Sequence, residues 1–584
     1  MLVNSQNSKI YYVITLFFIV PFLPVIHPNS AIDCSYFLSA IFLPCMLIAI
    51  TMFFSNDIKI TINPVSIFLA LFITLIILQI IFIHNQYASR YYVTLVCLIL
   101  ALLIGQITQE LDISKLSKYI FIAILCNAYL QVIFGSMQLF NIPLSISTNY
   151  YPFLRKHDYF ITINMIPFQE RITGSIGQPN ILAEIFGFAL AGSLYYCKSL
   201  WKYLNIILFS FMIAFTQSRM AIFYPLIAIL IFSLSHSSPS KRKLIIQLLT
   251  SYIVICLTYQ ISHYITMHHT TSAADINNSI TALNTPIRID YQRLTIWGKA
   301  FMLFITHPIL GVGYNDFMGS IFSVNTPLGI DNQFHSASLP DNAHNIWLHL
   351  LSTTGILGFV ICIWIYYKII RQALANKSTS VLFIFTIIMI NLCHMQVEDS
   401  LWKFNIFMLI VICSSIIIPT GSIIFEVKYT KIIGIFLIII LAINSYTYLQ
   451  LAQILPTHNY KSDDYQQNAI SYYQLGGNPL WNYYIDVSFA NKYSLAEFNS
   501  ITQSSYITLA NVNQSAIITT PYLMFMAKQA VLEKSMGNES QAIQYLTTIK
   551  QNYAIESIIN YMSFSSYTNS QIIVNWLEST YQQL

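Results

Sequence analysis

A series of long apolar runs constrains the fold of this chain more than any other feature. Each run is about 17 to 25 residues long, which is the length that an α-helix needs to cross roughly 30 Å of hydrocarbon. The runs lack the alternating pattern of membrane-spanning β-strands. Hydrophobic residues make up 56% of the chain and charged residues only 9%, against about 25% charged residues in an ordinary soluble domain. The sequence therefore predicts an all-α, polytopic helical membrane protein.

The runs predict about 12 to 13 transmembrane helices. Their approximate positions are 10–27, 36–54, 65–84, 91–108, 119–139, 180–197, 200–217, 220–235, 244–266, 344–367, 379–397, 401–419 and 432–451. The first run has no small-residue cleavage site, so we interpret it as a retained span. Lysines and arginines concentrate in alternate short loops, which places the N-terminus in the cytoplasm. An odd number of spans then places the C-terminus outside.

This topology divides the chain into two predicted domains. Residues 1–451 form the transmembrane domain, with two long external loops at about 140–179 and 267–343. Residues 452–584 are polar and rich in Tyr, Gln, Asn and Ser, which predicts an external, soluble helical domain. Within it, apolar residues at helical spacing flank Gly537 and Asn538, as in a tetratricopeptide-type hairpin. Any helical hairpin with a Gly-Asn turn has the same pattern, so a repeat array is one alternative.

Cysteine content and charge exclude several classes of function. The nine cysteines lie almost entirely in the predicted spans, and the sequence has no CxxC pair. We therefore expect neither a disulfide framework nor a cysteine metal site. The net charge of +5 mostly reflects cytoplasmic lysines and arginines that flank the spans, so it does not indicate a nucleic-acid partner.

The end of the first long loop carries polar residues into the sixth span, in "ERITGSIGQPNILAEIFGFALAG" (170–192). Gln178 and Asn180 stand at the helix start, where free backbone N–H groups can receive an anion. Pro179 suits the first turn of a helix and is better explained as part of its cap. Glu184 lies four residues after Asn180, inside the membrane. An ionisable group at that depth indicates a functional site or a buried hydrogen bond to a neighbouring helix.

An arginine interrupts two apolar helices in "TQSRMAIFYPL" (216–226). The topology places Arg219 on the external side of the membrane. Its guanidinium offers five donors in a planar fork that suits phosphate oxygens, so Arg219 is a candidate for holding a lipid-borne phosphate. The alternative is an arginine that reaches for lipid headgroups.

The second long loop contains an amphipathic stretch at 288–317 that bears Arg288, Arg293 and Trp297. Its pattern predicts a helix lying along the membrane surface. Arg293 and Trp297 share a helical face, which indicates either an interfacial anchor or a second phosphate contact. The "GVGY" that follows is too short for a dinucleotide-binding fingerprint and lacks its strand-to-helix context.

A polar stretch leads into the tenth span in "LPDNAHNIWLHLLSTTGILGF" (339–359). Asp341 or Asn342 is predicted to cap the helix, which places His344 on its first turn at the external interface. A neutral imidazole near its reference pKa of about 6.5 can accept a proton from a hydroxyl group at physiological pH. A structural histidine is the alternative, and three other external segments with polar residues favour the chemical role.

Six motifs together resemble the bacterial O-antigen ligase and polymerase superfamily. In chain order they are "TGSIGQPNILA", "QSRMA", "RLTIW", "GVGYNDF", "DNAHNIWLHLLSTTGILG" and "HMQVEDSLWKFNIF". Within that superfamily the chain is most similar to the protein O-oligosaccharyltransferases, because of "GQPN" and of the late segment 398–404 beside a soluble C-terminal domain. That family usually has Glu-Tyr-Pro in the late segment, whereas this chain has Glu398, Asp399 and Ser400.

The resemblance implies a glycosyltransferase in the bacterial inner membrane with its active face in the periplasm. The donor would be an undecaprenyl-pyrophosphate-linked oligosaccharide, and the acceptor a Ser or Thr hydroxyl of an exported protein such as pilin. No cofactor or metal is expected. His344 matches the family histidine that activates the acceptor, and we expect Arg219 to stabilise the leaving pyrophosphate. The expected substrate-binding residues are Arg293, Arg288, Gln178, Asn180, Arg171 and Glu398.

Three alternatives stay open at this stage. Ligation of the glycan to lipid A core and polymerisation of O-antigen repeats would use the same arginine and histidine chemistry, so the motifs do not separate them from protein glycosylation. A transporter or flippase belongs to another class and predicts internal repeats and broken helices near the membrane midplane. The sequence shows neither an internal repeat nor enough polarity near the midplane.

Overall fold

The structure is a computed structural model. It describes residues 58–83, 88–109, 111–140, 142, 171–235, 241–269, 291–334, 340–398, 404–419, 421–427 and 503–553, together with a few short pieces elsewhere. The elements in chain order are β1 (Ile58–Ile62), α1 (Pro64–Phe82), α2 (Ala88–Gln109), α3 (Ile113–Leu139), α4 (Pro179–Tyr196), α5 (Ser199–Thr216), α6 (Phe223–Ser233), α7 (Lys241–His269), α8 (Tyr291–Thr306), α9 (Phe317–Ile321), α10 (Ile346–Ala375), α11 (Thr379–His394), α12 (Phe404–Ile417), β2 (Ser422–Val427), α13 (Gln503–Thr519), α14 (Leu523–Ser535) and α15 (Glu539–Asn552).

The predicted spans from 65–84 to 401–419 correspond to helices α1 to α7 and α10 to α12. The remaining predicted spans, 10–27, 36–54 and 432–451, lie largely outside the described residues. Among the residues that the structure describes, five helices are long and apolar enough to cross a membrane: Pro64–Phe82, Arg90–Gln109, Ile113–Leu139, Arg242–Ile261 and Ile346–Ala375. Four shorter helices in the same part of the chain are also apolar: Leu200–Thr216, Arg219–Ser233, Thr379–His394 and Ile406–Ile417. The predicted all-α, polytopic membrane class is confirmed.

Helix α4 lies at the centre of the bundle and positions one side of the functional site. Gln178 caps it through its side chain, and Pro179 occupies the first turn, as expected from the fixed φ of proline. Every residue from Ile181 to Tyr195 is buried, because α3, α5, α6 and α11 surround the helix. A helix that is apolar on all sides is stable only when it is enclosed in this way.

Two short strands, one before α1 and one after α12, pair with each other. Strands β1 and β2 pair antiparallel, with Ile58 opposite Val427 and Ile62 opposite Ser422. Both strands must lie on the same side of the bundle. This agrees with the topology predicted from Lys59 and Lys428, because an even number of predicted spans separates the two loops.

Helix α10 is broken at Gly355, where φ is 64°. Backbone groups of the segment 308–313 fill the break: Ile356 N–H donates to the Pro308 carbonyl at 2.8 Å, and Val312 N–H donates to the Ser352 carbonyl at 2.9 Å. The Gln79 side chain donates to the carbonyls of Leu310 and Thr353. A break inside a membrane helix is stable when protein groups satisfy the freed backbone in this way.

The sequence did not indicate this break. The continuous apolar pattern of 344–367 conceals the break, because backbone partners from a distant segment replace the missing helical hydrogen bonds. Only the glycine in "STTGILG" signals it in the sequence. Since the break is filled by hydrogen-bonded backbone, it does not by itself support the transporter alternative.

The predicted helical hairpin in the tail is confirmed. Helices α14 and α15 pack against each other, and Gly537 turns between them with φ of 85°. Their apolar faces share a core with α8 and α9, which includes Ile296 and Leu303 from α8 and Met526 and Leu546 from the tail. Whether residues 452–584 fold independently stays a prediction.

The same core changes the interpretation of the amphipathic stretch 288–317. We expected its apolar face to lie on the membrane surface, but Ile296, Ala300 and Leu303 are buried in the core that also contains the tail residues Met526 and Leu546. An apolar stripe predicts only that something covers it, so the sequence pattern could not distinguish lipid from protein. Helix α8 thus packs against α10 and shares this core with the tail.

Candidate active site

The polar segment before α10, residues 340–345, is called here the entry segment. Asn345 caps α10, because its side-chain oxygen accepts hydrogen bonds from the N–H groups of Trp347 and Leu348, both at 3.1 Å. The prediction that Asp341 or Asn342 caps the helix and that His344 lies on its first turn is wrong. The helix begins two residues after His344, since Asn345 provides a better-placed cap for the first free N–H groups.

His344 adopts a left-handed backbone conformation with φ of 48°. Few residues other than glycine adopt this conformation, which costs of order 1–3 kcal/mol and persists only where surrounding contacts enforce it. Its N–H donates to the Asn342 side chain at 2.8 Å. Trp297 on α8 donates to the carbonyl of the preceding Ala343 at 3.0 Å. These two hydrogen bonds hold the backbone around His344 in this conformation.

Two hydrogen bonds attach the start of α10 and its cap to the end of α11. Ile346 N–H donates to the Met395 carbonyl at 2.9 Å, and the Asn345 amide donates to the Gln396 carbonyl at 3.3 Å. Three residues after Met395, the chain presents Glu398. These contacts bring two segments that are more than 50 positions apart into one fixed arrangement.

Glu398 is the centre of the polar cluster. Its Oε1 accepts a hydrogen bond from Gln178 Nε2 at 2.9 Å, and its Oε2 accepts one from Asn180 Nδ2 at 3.2 Å. A guanidinium nitrogen of Arg293 and the Nδ1 of His344 each lie 3.6 Å from Oε2. Residues from four segments of the sequence therefore meet at one carboxylate.

Arg171 extends this cluster beyond the carboxylate. It donates to the Asn180 side-chain oxygen and to the Thr216 carbonyl, both at 2.7 Å. Asn180 thus links Arg171 to Glu398. We expected the start of α4 to receive an anion through free N–H groups. Instead, the Gln178 side chain caps Ile181 N–H at 2.8 Å, and the side chains of Gln178 and Asn180 contact the carboxylate.

The electrostatics of the cluster favour a histidine that accepts protons readily. Burial alone would lower the pKa of His344, but the adjoining Glu398 carboxylate outweighs burial, and the pKa is raised. The reverse holds for Glu398: burial would raise its pKa, but His344, His394 and Arg293 lower it. Glu398 is therefore an anion at neutral pH, and its charge makes His344 more basic.

Arg219 lies near this cluster but outside its hydrogen-bonded part. It begins a 3-10 turn, Arg219–Ile222, and its side chain is exposed. It makes no hydrogen bond or ion pair with any residue that the structure describes. The pKa of Arg171 is lowered first by burial, with the charges of Arg219 and Arg293 contributing to the same effect. A third cation thus lies within electrostatic range of the cluster.

The remaining candidates divide into three cases. Arg288 lies outside the described residues, so its role stays a prediction. Glu184 is buried and accepts a hydrogen bond from Asn391 on α11 at 2.7 Å. The predicted hydrogen bond to a neighbouring helix is therefore confirmed. His349 is buried beside Phe317, with ring centroids 5.1 Å apart, and it does not take part in the contacts around Glu398.

Sequence reasoning missed the supporting roles of two residues. The sequence indicates an interfacial anchor or a phosphate contact for the helical face that Trp297 shares with Arg293. In the structure, the Trp297 indole holds the entry segment. Asn345 was not chosen as the cap of α10. The sequence contains a signal for this cap, since Asn is among the preferred N-cap residues and Asn345 directly precedes the apolar run. Trp297 gave no comparable signal, because its partner is 46 positions away.

The arrangement combines a base, an orienting carboxylate and several cations on one face of the bundle. Because Nδ1 of His344 faces Glu398, the other ring nitrogen, Nε2, can accept a proton from a hydroxyl group. Arginines that lie beside the cluster can stabilise negative charge that develops on a leaving group. These are the elements of a transfer reaction from an anionic carrier to a hydroxyl.

Comparison with known protein families shows that residues 204–363 match the model of a family described as O-antigen ligase. The matched segment contains Arg219, Arg293 and His344, while Arg171, Gln178, Asn180 and Glu398 lie outside it. No curated protein matches the chain.

Proposed function

We propose that this chain, a member of the O-antigen ligase superfamily, is a protein O-oligosaccharyltransferase. It transfers a preassembled glycan from an undecaprenyl-pyrophosphate carrier to Ser or Thr hydroxyls of exported proteins such as pilin. The reaction takes place at the periplasmic face of the bacterial inner membrane. The observation that carries the proposal is the contact of His344 with Glu398 beside Arg293 and Arg171, because it joins an activated base to an anion-binding face.

In the reaction, the acceptor hydroxyl oxygen forms a bond to the anomeric carbon of the first sugar. The bond between that carbon and the pyrophosphate oxygen breaks, and its electron pair stays on the pyrophosphate. Nε2 of His344 accepts the hydroxyl proton in the transition state and thus acts as a general base. Arg219 and Arg293 stabilise the charge on the departing pyrophosphate, where removal of a single donor typically costs about 10²- to 10³-fold in rate.

Glu398 acts through His344 rather than on the substrate. Its carboxylate lies 3.6 Å from Nδ1 of the histidine and stabilises the imidazolium that forms when the proton arrives. Gln178 and Asn180 hold the carboxylate in turn. A base held by a carboxylate that is itself hydrogen-bonded needs little reorganisation during the reaction.

The family match also favours a second function, ligation of the glycan to lipid A core, since its description names the O-antigen ligase. Polymerisation of O-antigen repeats shares the same donor chemistry. Both alternatives differ from the proposal only in the acceptor, which the site chemistry does not select.

Deletion of the gene tests the acceptor. We expect exported proteins to lose a glycan mass in intact mass spectrometry, while the lipopolysaccharide ladder on a gel stays normal. Complementation with the wild-type gene should restore the glycan mass, and the gene encoding His344→Ala should not. A lost ladder with unchanged protein masses would establish ligation or polymerisation instead.

A further inference from the structure

A cleft of about 950 Å³ lies between the second long loop and the tail helices. The loop contributes Phe322, Asn325 and Asn332 to its wall, whereas α13 contributes Gln514 and α15 contributes Gln544. Its volume is in the range of sites that hold small ligands, about 300 to 1,000 Å³. The cleft is separate from the polar cluster, because neither His344 nor Glu398 lines it.

The lining of this cleft is polar but uncharged. Side-chain amides and hydroxyls dominate it, and none of the described residues that line it is Asp, Glu, Lys, Arg or His. Each side-chain amide both donates and accepts hydrogen bonds, as each sugar hydroxyl also does. Phe322 and Tyr545 add aromatic surface to the same cleft. This combination suits a neutral saccharide, because rings cover its apolar C–H faces and amides pair with its hydroxyls.

The amides come from several sides of the cleft. Gln541 and Gln544 lie on one face of α15, Gln514 lies on α13, and Asn325 and Asn332 lie on the loop. A saccharide displays hydroxyls around its whole circumference and can use donors on every wall. An extended peptide directs its backbone groups mainly along two opposite directions and would need pockets for its side chains. The distribution therefore favours a saccharide.

Helix α8 connects the cleft to the candidate active site. Near its start, Arg293 reaches Glu398. Thr295 donates to the Asp331 carbonyl at 2.9 Å, beside Asn332, and Lys299 donates to the Val324 carbonyl at 2.8 Å, beside Asn325. Arg293 and Lys299 are six residues apart, about 9 Å along the helix axis. The loop that forms one wall of the cleft is thus held by the helix that supplies a cation to the site.

We infer that the cleft between the second long loop and the tail helices binds the outer, uncharged sugars of the donor glycan. The inference rests on the proposed function, since it places the pyrophosphate at the cationic cluster and the distal sugars in the uncharged cleft. The cleft is then a determinant of glycan length and composition, separate from the residues that carry out transfer.

Binding of the free glycan tests this inference without requiring transfer. The probe is the glycan released by mild acid from the lipid-linked pool of cells that carry the gene, titrated into the purified full chain in lipid nanodiscs. The test variant is Gln514→Ala with Gln544→Ala, and both of these side chains are exposed. The control is Asn511→Ala, an exposed amide on the same helix as Gln514 that does not line the cleft.

We expect the wild type and Asn511→Ala to bind the released glycan equally well. The loss of two hydrogen bonds should weaken binding by the double variant roughly tenfold or more. Equal affinities in the double variant and the control would overturn the inference, as would no binding to the wild type. Loss of affinity for an acceptor peptide in the double variant, with unchanged affinity for the glycan, would assign the cleft to the acceptor.

A transfer assay distinguishes failure of this inference from failure of the proposed function. If the cleft inference fails alone, the double variant transfers the full glycan with an unchanged KM, and His344→Ala stays inactive. If the proposed function fails alone, neither the wild type nor the double variant transfers the glycan to exported proteins, yet the double variant still binds the released glycan more weakly than Asn511→Ala does.

Discussion

Nδ1 of His344 lies 3.6 Å from Oε2 of Glu398, although the two residues are more than 50 positions apart in the chain. Neither position is set by a regular helix. His344 precedes the cap of α10 in a left-handed conformation, and Glu398 follows the end of α11. The hydrogen bond from Ile346 N–H to the Met395 carbonyl holds the two helix ends together. The pair is therefore a property of how two helices meet.

Substitution of His344 should remove the base. General-base catalysis contributes about 10²- to 10⁴-fold, so His344→Ala should lower turnover by at least that order in purified protein supplied with lipid-linked glycan and acceptor. His349→Ala should retain much more activity, but His349 is buried and its replacement also tests folding. The exposed His307 is the cleaner control. Equal turnover in His344→Ala and His307→Ala, at equal folded protein, would falsify the assignment of the base.

Glu398→Gln should shift the pH dependence of the reaction. The carboxylate raises the pKa of His344, and only the neutral imidazole accepts a proton, so wild-type activity should fall as the pH drops through that raised value. With a neutral amide in its place, burial lowers the pKa of His344, and the acidic limb of the pH–rate profile should move to lower pH. Glu398→Asp should restore part of the wild-type profile. An unmoved limb in Glu398→Gln would leave Glu398 as a packing residue.

Arg219→Ala should abolish most transfer while the protein level stays normal, because the side chain is exposed and holds no described residue in place. The expected loss is about 10²- to 10³-fold. Arg219→Lys should recover only part of it, since an ammonium keeps the charge but loses the fork of donors. Arg371→Ala, an exposed arginine at the predicted cytoplasmic end of α10, serves as the control. Full activity in Arg219→Ala would reduce Arg219 to a headgroup contact.

Gly355→Ala should destabilise the fold. A Cβ atom at Gly355 would lie 2.2 Å from the Ile309 carbonyl oxygen, at a backbone φ of +64°. Gly329 has a φ of +87°, but nothing lies within 4 Å of the corresponding position. Gly329→Ala should therefore cost about 1–2 kcal/mol from conformation alone, and Gly355→Ala clearly more. Thermal unfolding in detergent measures both, and equal Tm values would contradict the packed break in α10.

Reporter fusions test the orientation of the bundle. Fusions after residues 60, 115, 242 and 372 should report the cytoplasm, and those after 160, 330 and 500 should report the periplasm. The pairing of β1 with β2 already requires the loops around residues 60 and 425 to share one side. A cytoplasmic signal at 500 would contradict the odd number of spans and separate the tail from the proposed active face.

The sequence by itself determined the membrane class, the positions of most described helices and the membership of the polar cluster. Apolar runs of spanning length leave the backbone no alternative to helices, because lipid offers no hydrogen-bond partners. Polar residues at the membrane boundary indicate Gln178, Asn180, Arg293 and His344, whereas Arg171 and Glu398 are expected only from the resemblance to a known superfamily.

Only the tertiary structure decided how these residues are arranged. The sequence did not indicate that Glu398 is the centre of the cluster, that Trp297 holds the entry segment or that α8 shares a core with the tail. Each of these depends on contacts between segments far apart in the chain, whereas periodicity reports only local geometry. The break at Gly355 was hidden for the same reason: its missing helical hydrogen bonds are replaced by a loop more than 40 residues earlier, and no local pattern records that partner.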